Sequence, residues 1–153
     1  MHQTNIPSLV KKYKLSPHPE GGWYREVHRS LTNVIRTDGI KRSGISTVLY
    51  LLDDTQVSRW HRVIGSDEVW IHLKGSPLNL YRLDDQGEHD IKKLSADAPI
   101  QVIPASQWMA AETLGQFTLV TCCVGPGFDF ADFEMLRNTP EGEWPKAARK
   151  DLV

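Results

Sequence analysis

Cysteine is scarce in this chain: Cys122 and Cys123 are the only two among 153 residues, and they are neighbours. Consecutive α-carbons lie about 3.8 Å apart, below the roughly 4.4–6.8 Å that a disulfide spans, so a mutual bridge would be strained. Both read as reduced thiols in a buried strand, and a disulfide framework is excluded. An excess of one charge is lacking too. Eighteen Lys+Arg against nineteen Asp+Glu leave a formal charge of −1. With no run of basic residues to track phosphates, a nucleic-acid partner is not expected. No apolar stretch approaches the ~18 residues of a spanning helix, which argues against a membrane partner. The start, Met1-His2-Gln3-Thr4-Asn5-Ile6-Pro7, has no basic segment followed by an apolar one, and the expected location is cytoplasmic. Repeats, low-complexity segments and linkers are also missing, so residues 1–153 are expected to form one domain with its own core.

What is present is a series of short β-rich runs. Ile6, Leu9, Val10 and Tyr13 recur at helical spacing, with Asn5 available as a cap and Pro7 tolerated in the first turn, which predicts one short amphipathic helix ended by Ser16-Pro17. From Gly22 onward the signals change. Runs at 23–28, 45–52, 57–63, 68–73, 78–83, 91–94, 100–103, 107–111 and 117–124 read as strands, punctuated by turn residues such as Asp38-Gly39 and Gly75-Ser76-Pro77. Many short strands with no long helix between them predict an all-β jelly-roll barrel preceded by a short N-terminal helix. In the tail, Phe128, Phe130 and Phe133 read as a strand edge or an aromatic clasp, and 146–152 as a closing helical turn.

The chemistry concentrates between Ser58 and Gly75. Strand side chains alternate faces, so His61 and Val63 share one face, while Glu68, Trp70 and His72 share one face of the next strand. A turn at Gly65-Ser66 would set the two strands side by side. With both faces turned inward, two imidazoles and a carboxylate would converge beneath an indole, as in an ordinary ligand pocket. Glu68 on an inward face needs a partner, and a salt bridge to Arg59 or Arg62 is its structural explanation. In His18-Pro19-Glu20-Gly21-Gly22 the simplest reading is an extended segment and a glycine turn, with Glu20 outside the pocket.

His61, Glu68 and Gly75 resemble the first motif of the cupins, and Pro104-Ala105-Ser106-Gln107-Trp108-Met109 resembles the second. The runs His18-Pro19-Glu20-Gly21-Gly22-Trp23-Tyr24-Arg25-Glu26, Trp60-His61-Arg62, Asp67-Glu68-Val69-Trp70 and Pro126-Gly127-Phe128-Asp129-Phe130 are similar to the cupin_5 family, also called DUF985. The resemblance spans roughly residues 6 to 137 and implies a jelly roll that often pairs as a homodimer. Against metal-binding cupins it departs at Val63, Ser106 and Met109, leaving only His61 and Glu68 of four ligands, too few donors for a tight transition-metal site. His72 would restore a third donor, yet it lies about 13 Å along the strand from residue 68. No cofactor and no complete metal site are therefore expected.

The expected site comprises His61 and Glu68 as catalytic candidates, with Trp70, His72, Trp108 and Met109 completing a ligand-binding wall. The resemblance extends to sugar-nucleotide 3,5-epimerases of the same fold, which use a pocket histidine as base at the position of His61. A neutral imidazole suits abstraction of a proton next to a carbonyl. The expected function is thus a small-molecule-binding cupin, with metal-independent epimerase or isomerase chemistry on a carbohydrate or nucleotide-sugar. Two alternatives stand beside it: a non-catalytic metabolite-binding or dimerisation module, and a metal-dependent cupin oxygenase. A homodimer paired through the edge of the 45–52 strand is also expected, because that run carries no lysine.

Overall fold

A computed structural model describes residues 5–153. The chain opens with α1 (Ile6–Tyr13), where the Asn5 side chain accepts a hydrogen bond from the Ser8 N–H at 3.1 Å and Lys14 ends the helix in a left-handed conformation. Thirteen strands follow: β1 (Ser16–Pro17), β2 (Trp23–Arg29), β3 (Asn33–Ile35), β4 (Lys41–Ser43), β5 (Ser46–Asp53), β6 (Ser58–Val63), β7 (Asp67–Gly75), β8 (Leu78–Leu83), β9 (His89–Leu94), β10 (Ile100–Ile103), β11 (Trp108–Thr113), β12 (Phe117–Gly125) and β13 (Phe133–Met135). They pair antiparallel into a six-stranded sheet, β1-β2-β5-β12-β7-β10, and a five-stranded sheet, β13-β6-β11-β8-β9, with β3 and β4 as a separate hairpin. The predicted helix and strands are all present. The two-residue β1 and the β3–β4 hairpin are additions, and β13 begins at Phe133, one of the residues read as a strand edge or an aromatic clasp.

The two sheets face each other over one core. Tyr50, Leu52, Trp70, Ile103, Val120 and Cys122 from the larger sheet meet Val63, Leu78, Leu80, Leu94, Met109 and Ala111 from the smaller. Burial of this kind contributes roughly 25 cal/mol per Å² of apolar surface and is the main force closing the jelly roll. The outer faces are covered separately. Helix α1 lays Ile6, Leu9, Val10 and Tyr13 over Leu51, Phe117 and Leu119. On the other side Trp144, Ala148 and Leu152 of the tail cover Trp60, Tyr81 and Leu83. Strands buried on both faces explain why β5 and β12 read as continuous apolar runs rather than alternating ones.

Two expectations about strand neighbours are corrected. β6 and β7 are consecutive, yet they lie in different sheets, so the Gly65-Ser66 turn carries the chain across the sandwich instead of closing a hairpin. β5 lies between β2 and β12, so both its sides are hydrogen-bonded and it offers no edge for dimerisation. Among the described residues, no helix is long and apolar enough to cross a membrane.

Candidate active site

A small cavity of about 50 Å³ opens at one end of the core, lined by His18, Glu20, Tyr24, Val48, Tyr50, His61, Val63, Glu68, Cys122, Val124, Phe128 and Phe133. His61 and Val63 reach it from β6 in the smaller sheet, Glu68 from β7 and Cys122 from β12 in the larger. His61 and Glu68 therefore line the cavity from opposite sheets. Glu20 arrives from the loop before β2. Gly21 and Gly22 have φ of +110° and +70°, and a Cβ would lie 2.1 Å from the Val57 carbonyl oxygen and 2.6 Å from that of Leu51. Only glycine fits there, and this bend sends the Glu20 side chain inward. The reading of Glu20 as outside the pocket is thereby corrected.

Hydrogen bonds fix the protonation of this group. The Glu20 backbone N–H donates to His18 Nδ1 at 3.2 Å, so that nitrogen carries a lone pair. His61 Nδ1 lies 2.7 Å from the Arg59 carbonyl oxygen, and a carbonyl only accepts, so Nδ1 bears the proton. Glu20 Oε2 then lies 3.1 Å from His61 Nε2 and 3.4 Å from His18 Nδ1. An oxygen between two imidazole nitrogens of this kind needs a proton. The Glu20–His61 pair holds one, and burial places it on the carboxyl: desolvation raises the Glu20 pKa and lowers that of His61 to about 4. Burial lowers His18 as well, against the opposing pull of Glu20. The other oxygen, Oε1, accepts from Ser58 Oγ at 3.0 Å, and the Tyr50 hydroxyl donates to the Gly21 carbonyl at 2.7 Å.

Glu68 stands on the opposite wall with 7% of its surface exposed. Burial first, and the neighbouring Glu20 second, push its pKa up to about 8, while a hydrogen bond with Cys122 pulls it down slightly. Burial and Glu68 in turn hold the Cys122 thiol protonated. The arginines expected to neutralise Glu68 do not reach it. Arg59 donates to the Val153 carbonyl at 3.0 Å, and Arg62 pairs with Glu134 at 2.6 Å.

Four residues of the expected ligand wall stand away from the cavity. Trp70 is a core residue packed edge-on to Tyr50 at 5.8 Å, and Met109 is fully buried in the same core. His72 Nε2 lies 3.2 Å from the Ser76 carbonyl oxygen. Trp108 is on the outer face of its sheet, beneath the Arg62 guanidinium at 4.4 Å. Conversely, His18, Tyr24, Tyr50, Cys122, Phe128 and Phe133 line the cavity without having been expected there. Their separation along the chain hid them; the His-Pro-Glu-Gly-Gly run was the one visible pointer.

The cavity widens outward. Tyr24, Val48 and Phe128 also line an outer cleft of about 390 Å³ together with Glu26, Arg29, Asp129 and Phe130. Pockets for drug-sized ligands measure roughly 300–1,000 Å³, so the inner chamber admits only a few heavy atoms and a larger ligand must extend into the cleft.

The metal centres of this fold do not match the side chains here. Val63 offers no donor, Met109 is sealed in the core, and both His61 ring nitrogens already face oxygen partners. Among the described residues, no three His, Cys, Asp or Glu side chains are placed to hold an ion.

The fold recurs in solved structures. A hypothetical protein from Leishmania major is 29% identical, with a TM-score of 0.79 over 86% of each chain. A protein from Shewanella oneidensis is 32% identical, with a TM-score of 0.78 over 87% of this chain and 85% of its own. A double-stranded β-helix protein from Klebsiella pneumoniae, 16% identical, shares the fold with a TM-score of 0.58 over 82% of this chain and 92% of its own. No protein of curated function is significantly similar in sequence. Residues 7–136 match the cupin superfamily family Cupin_5 (DUF985), and the chain belongs to it.

Proposed function

We propose that the barrel cavity binds a small molecule and that the Glu20–His61 pair moves a proton on it, the chemistry of a metal-independent isomerase or epimerase. The observation that carries this reading is a carboxyl and an imidazole 3.1 Å apart on a cavity wall, sharing one proton. The pair has room for one more. A C–H next to a ligand carbonyl gives its proton to Glu20 while Glu20 passes its own to His61 Nε2, leaving an enolate and an imidazolium. Reversal delivers a proton to the same or the neighbouring carbon. The Arg59 carbonyl, accepting from Nδ1, steadies the imidazolium. Glu68 holds the ligand from the far side. A whole nucleotide-sugar exceeds the inner chamber, so a carbohydrate substrate would enter by its reacting end and leave the remainder in the cleft.

Deuterium wash-in tests this. Small aldehydes, ketones and aldoses incubated with the protein in D₂O should exchange the proton next to the carbonyl. Glu20→Gln and His61→Asn should slow exchange at least about 100-fold, the usual scale for a general base, with the circular dichroism unchanged. Binding without exchange would leave a non-catalytic metabolite-binding module. For assembly, the expected homodimer gives twice the chain mass in light scattering; the edge strands of the two main sheets are β1, β10, β13 and β9.

A further inference from the structure

The walls of the cavity are unusual in what they omit. Two carboxyl groups, Glu20 and Glu68, and four aromatic rings, Tyr24, Tyr50, Phe128 and Phe133, line it, with no lysine or arginine among the lining residues. This chain does neutralise buried carboxylates with arginine elsewhere: Asp132 meets Arg36 at 2.9 Å and Arg42 at 2.8 Å. Glu68 has no such partner. The Cys122 thiol is a weak donor, and Glu20 adds negative charge whenever it ionises.

We propose that the cavity receives a small organic cation, a primary ammonium group carried by the ligand, seated between Glu68 and Glu20. This rests on the reading of the cavity as the binding site and names the chemical class it takes. A cation gains from both carboxyls and from the negative faces of aromatic rings, most strongly where water is excluded. An anion meets carboxyls with no compensating charge, and a neutral ligand gains hydrogen bonds alone. The chamber of about 50 Å³ suits an ammonium with one or two carbons, the rest of the ligand lying in the cleft. Glu20 and Cys122 act on Glu68 directly, and the other titratable groups that share the cavity with it are His18 from the loop before β2, Tyr24 from β2, Tyr50 from β5 and His61 from β6; the β10 neighbour Ile103 is apolar. When a cation docks, Glu68 gives up its proton to solvent and the ion pair replaces the neutral acid.

The full chain should be titrated with methylammonium, methanol and acetate at constant ionic strength, following the NMR signals of His61, Tyr24 and Phe128. Methylammonium should saturate at about tenfold lower concentration than methanol, and acetate should not bind. Raising the pH from about 6.5 to about 8.5 should tighten methylammonium roughly 25-fold, because Glu68 titrates near 8 when the cavity is empty. Glu68→Gln, with Glu68→Met as a second variant, should remove both the preference and its pH dependence. Equal binding of methanol and methylammonium, tighter binding of acetate, or an unchanged preference in a folded Glu68 variant overturns the cation assignment while leaving the cavity as a binding site. Failure of every probe to move these signals overturns both.

Discussion

Asp132 and Glu68 are carboxyl groups of similar exposure, 5% and 7%, yet at neutral pH one is an anion and the other a neutral acid. Asp132 lies between two guanidiniums, and hydrogen bonding to Arg42 above all holds its pKa below the ordinary range. Glu68 faces an aromatic cavity with a thiol for company, and desolvation drives its pKa up to about 8. Burial alone does not decide ionisation; the partners supplied by other strands do. One carboxylate ties the β3–β4 hairpin to the turn before β13. The other is a neutral acid kept at a cavity wall, at a cost to stability.

The largest expected effect follows from that cost. A raised folded pKa means that Glu68 keeps its proton in the native state after the unfolded chain has lost it. Its effect is therefore neutral below about pH 4 and destabilises progressively as pH rises toward 8. Above pH 8 the penalty is on the order of 5 kcal/mol, from roughly 1.36 kcal/mol per pK unit. Glu68→Gln should remove it, so the variant should be markedly more stable than the native protein at pH 9 and nearly equal to it at pH 4. Urea melts at the two pH values measure this. Equal stability at pH 9 would place Glu68 in a far better solvated environment than the cavity geometry describes.

Asp132→Asn should act in the opposite sense. It leaves Arg36 and Arg42 without their shared carboxylate and should cost about 2 kcal/mol, less than the roughly 3–5 of a fully buried pair because Arg36 keeps Asp38. The sign also inverts. A depressed folded pKa contributes stability above the ordinary carboxylate range and loses it as pH falls below about 4, so the native and Asn proteins should converge in acid. A difference that persists at pH 2 would mean that packing, not charge, is what Asp132 supplies.

Cys122→Ala is the smallest test. Its thiol is the one group drawing the Glu68 pKa downward, so its loss should move the Glu68 titration further up, read from the carboxyl carbon signal in NMR. A downward movement would break the assignment of the thiol as donor.

Several of these features were legible from the residues alone. The spacing of Ile6, Leu9, Val10 and Tyr13 specifies α1, and the alternation along β6 and β7 puts His61, Val63 and Glu68 on inward faces, where they are found. His72 keeps the same alternation, opposite Val120 of the core, but it lies about 13 Å from Glu68 along β7, toward Ser76, and so misses the cavity. Trp108 was assigned to the pocket through a motif resemblance; its outer face is buried by tail residues such as Trp144 and Leu152. That contact lies far along the chain.

Local pattern thus determined the elements, their inward and outward faces and the cupin resemblance, because backbone periodicity and turn chemistry act over a few residues. Tertiary structure decided which polar groups meet. Glu20 reaches His61 and Ser58 across 41 and 38 positions of sequence, through a glycine bend whose value depends on the carbonyls of Val57 and Leu51. Whether a buried carboxyl is an anion or an acid depends on which side chains other strands bring within a few ångströms. Sequence spacing does not encode that distance until the two sheets have closed on each other.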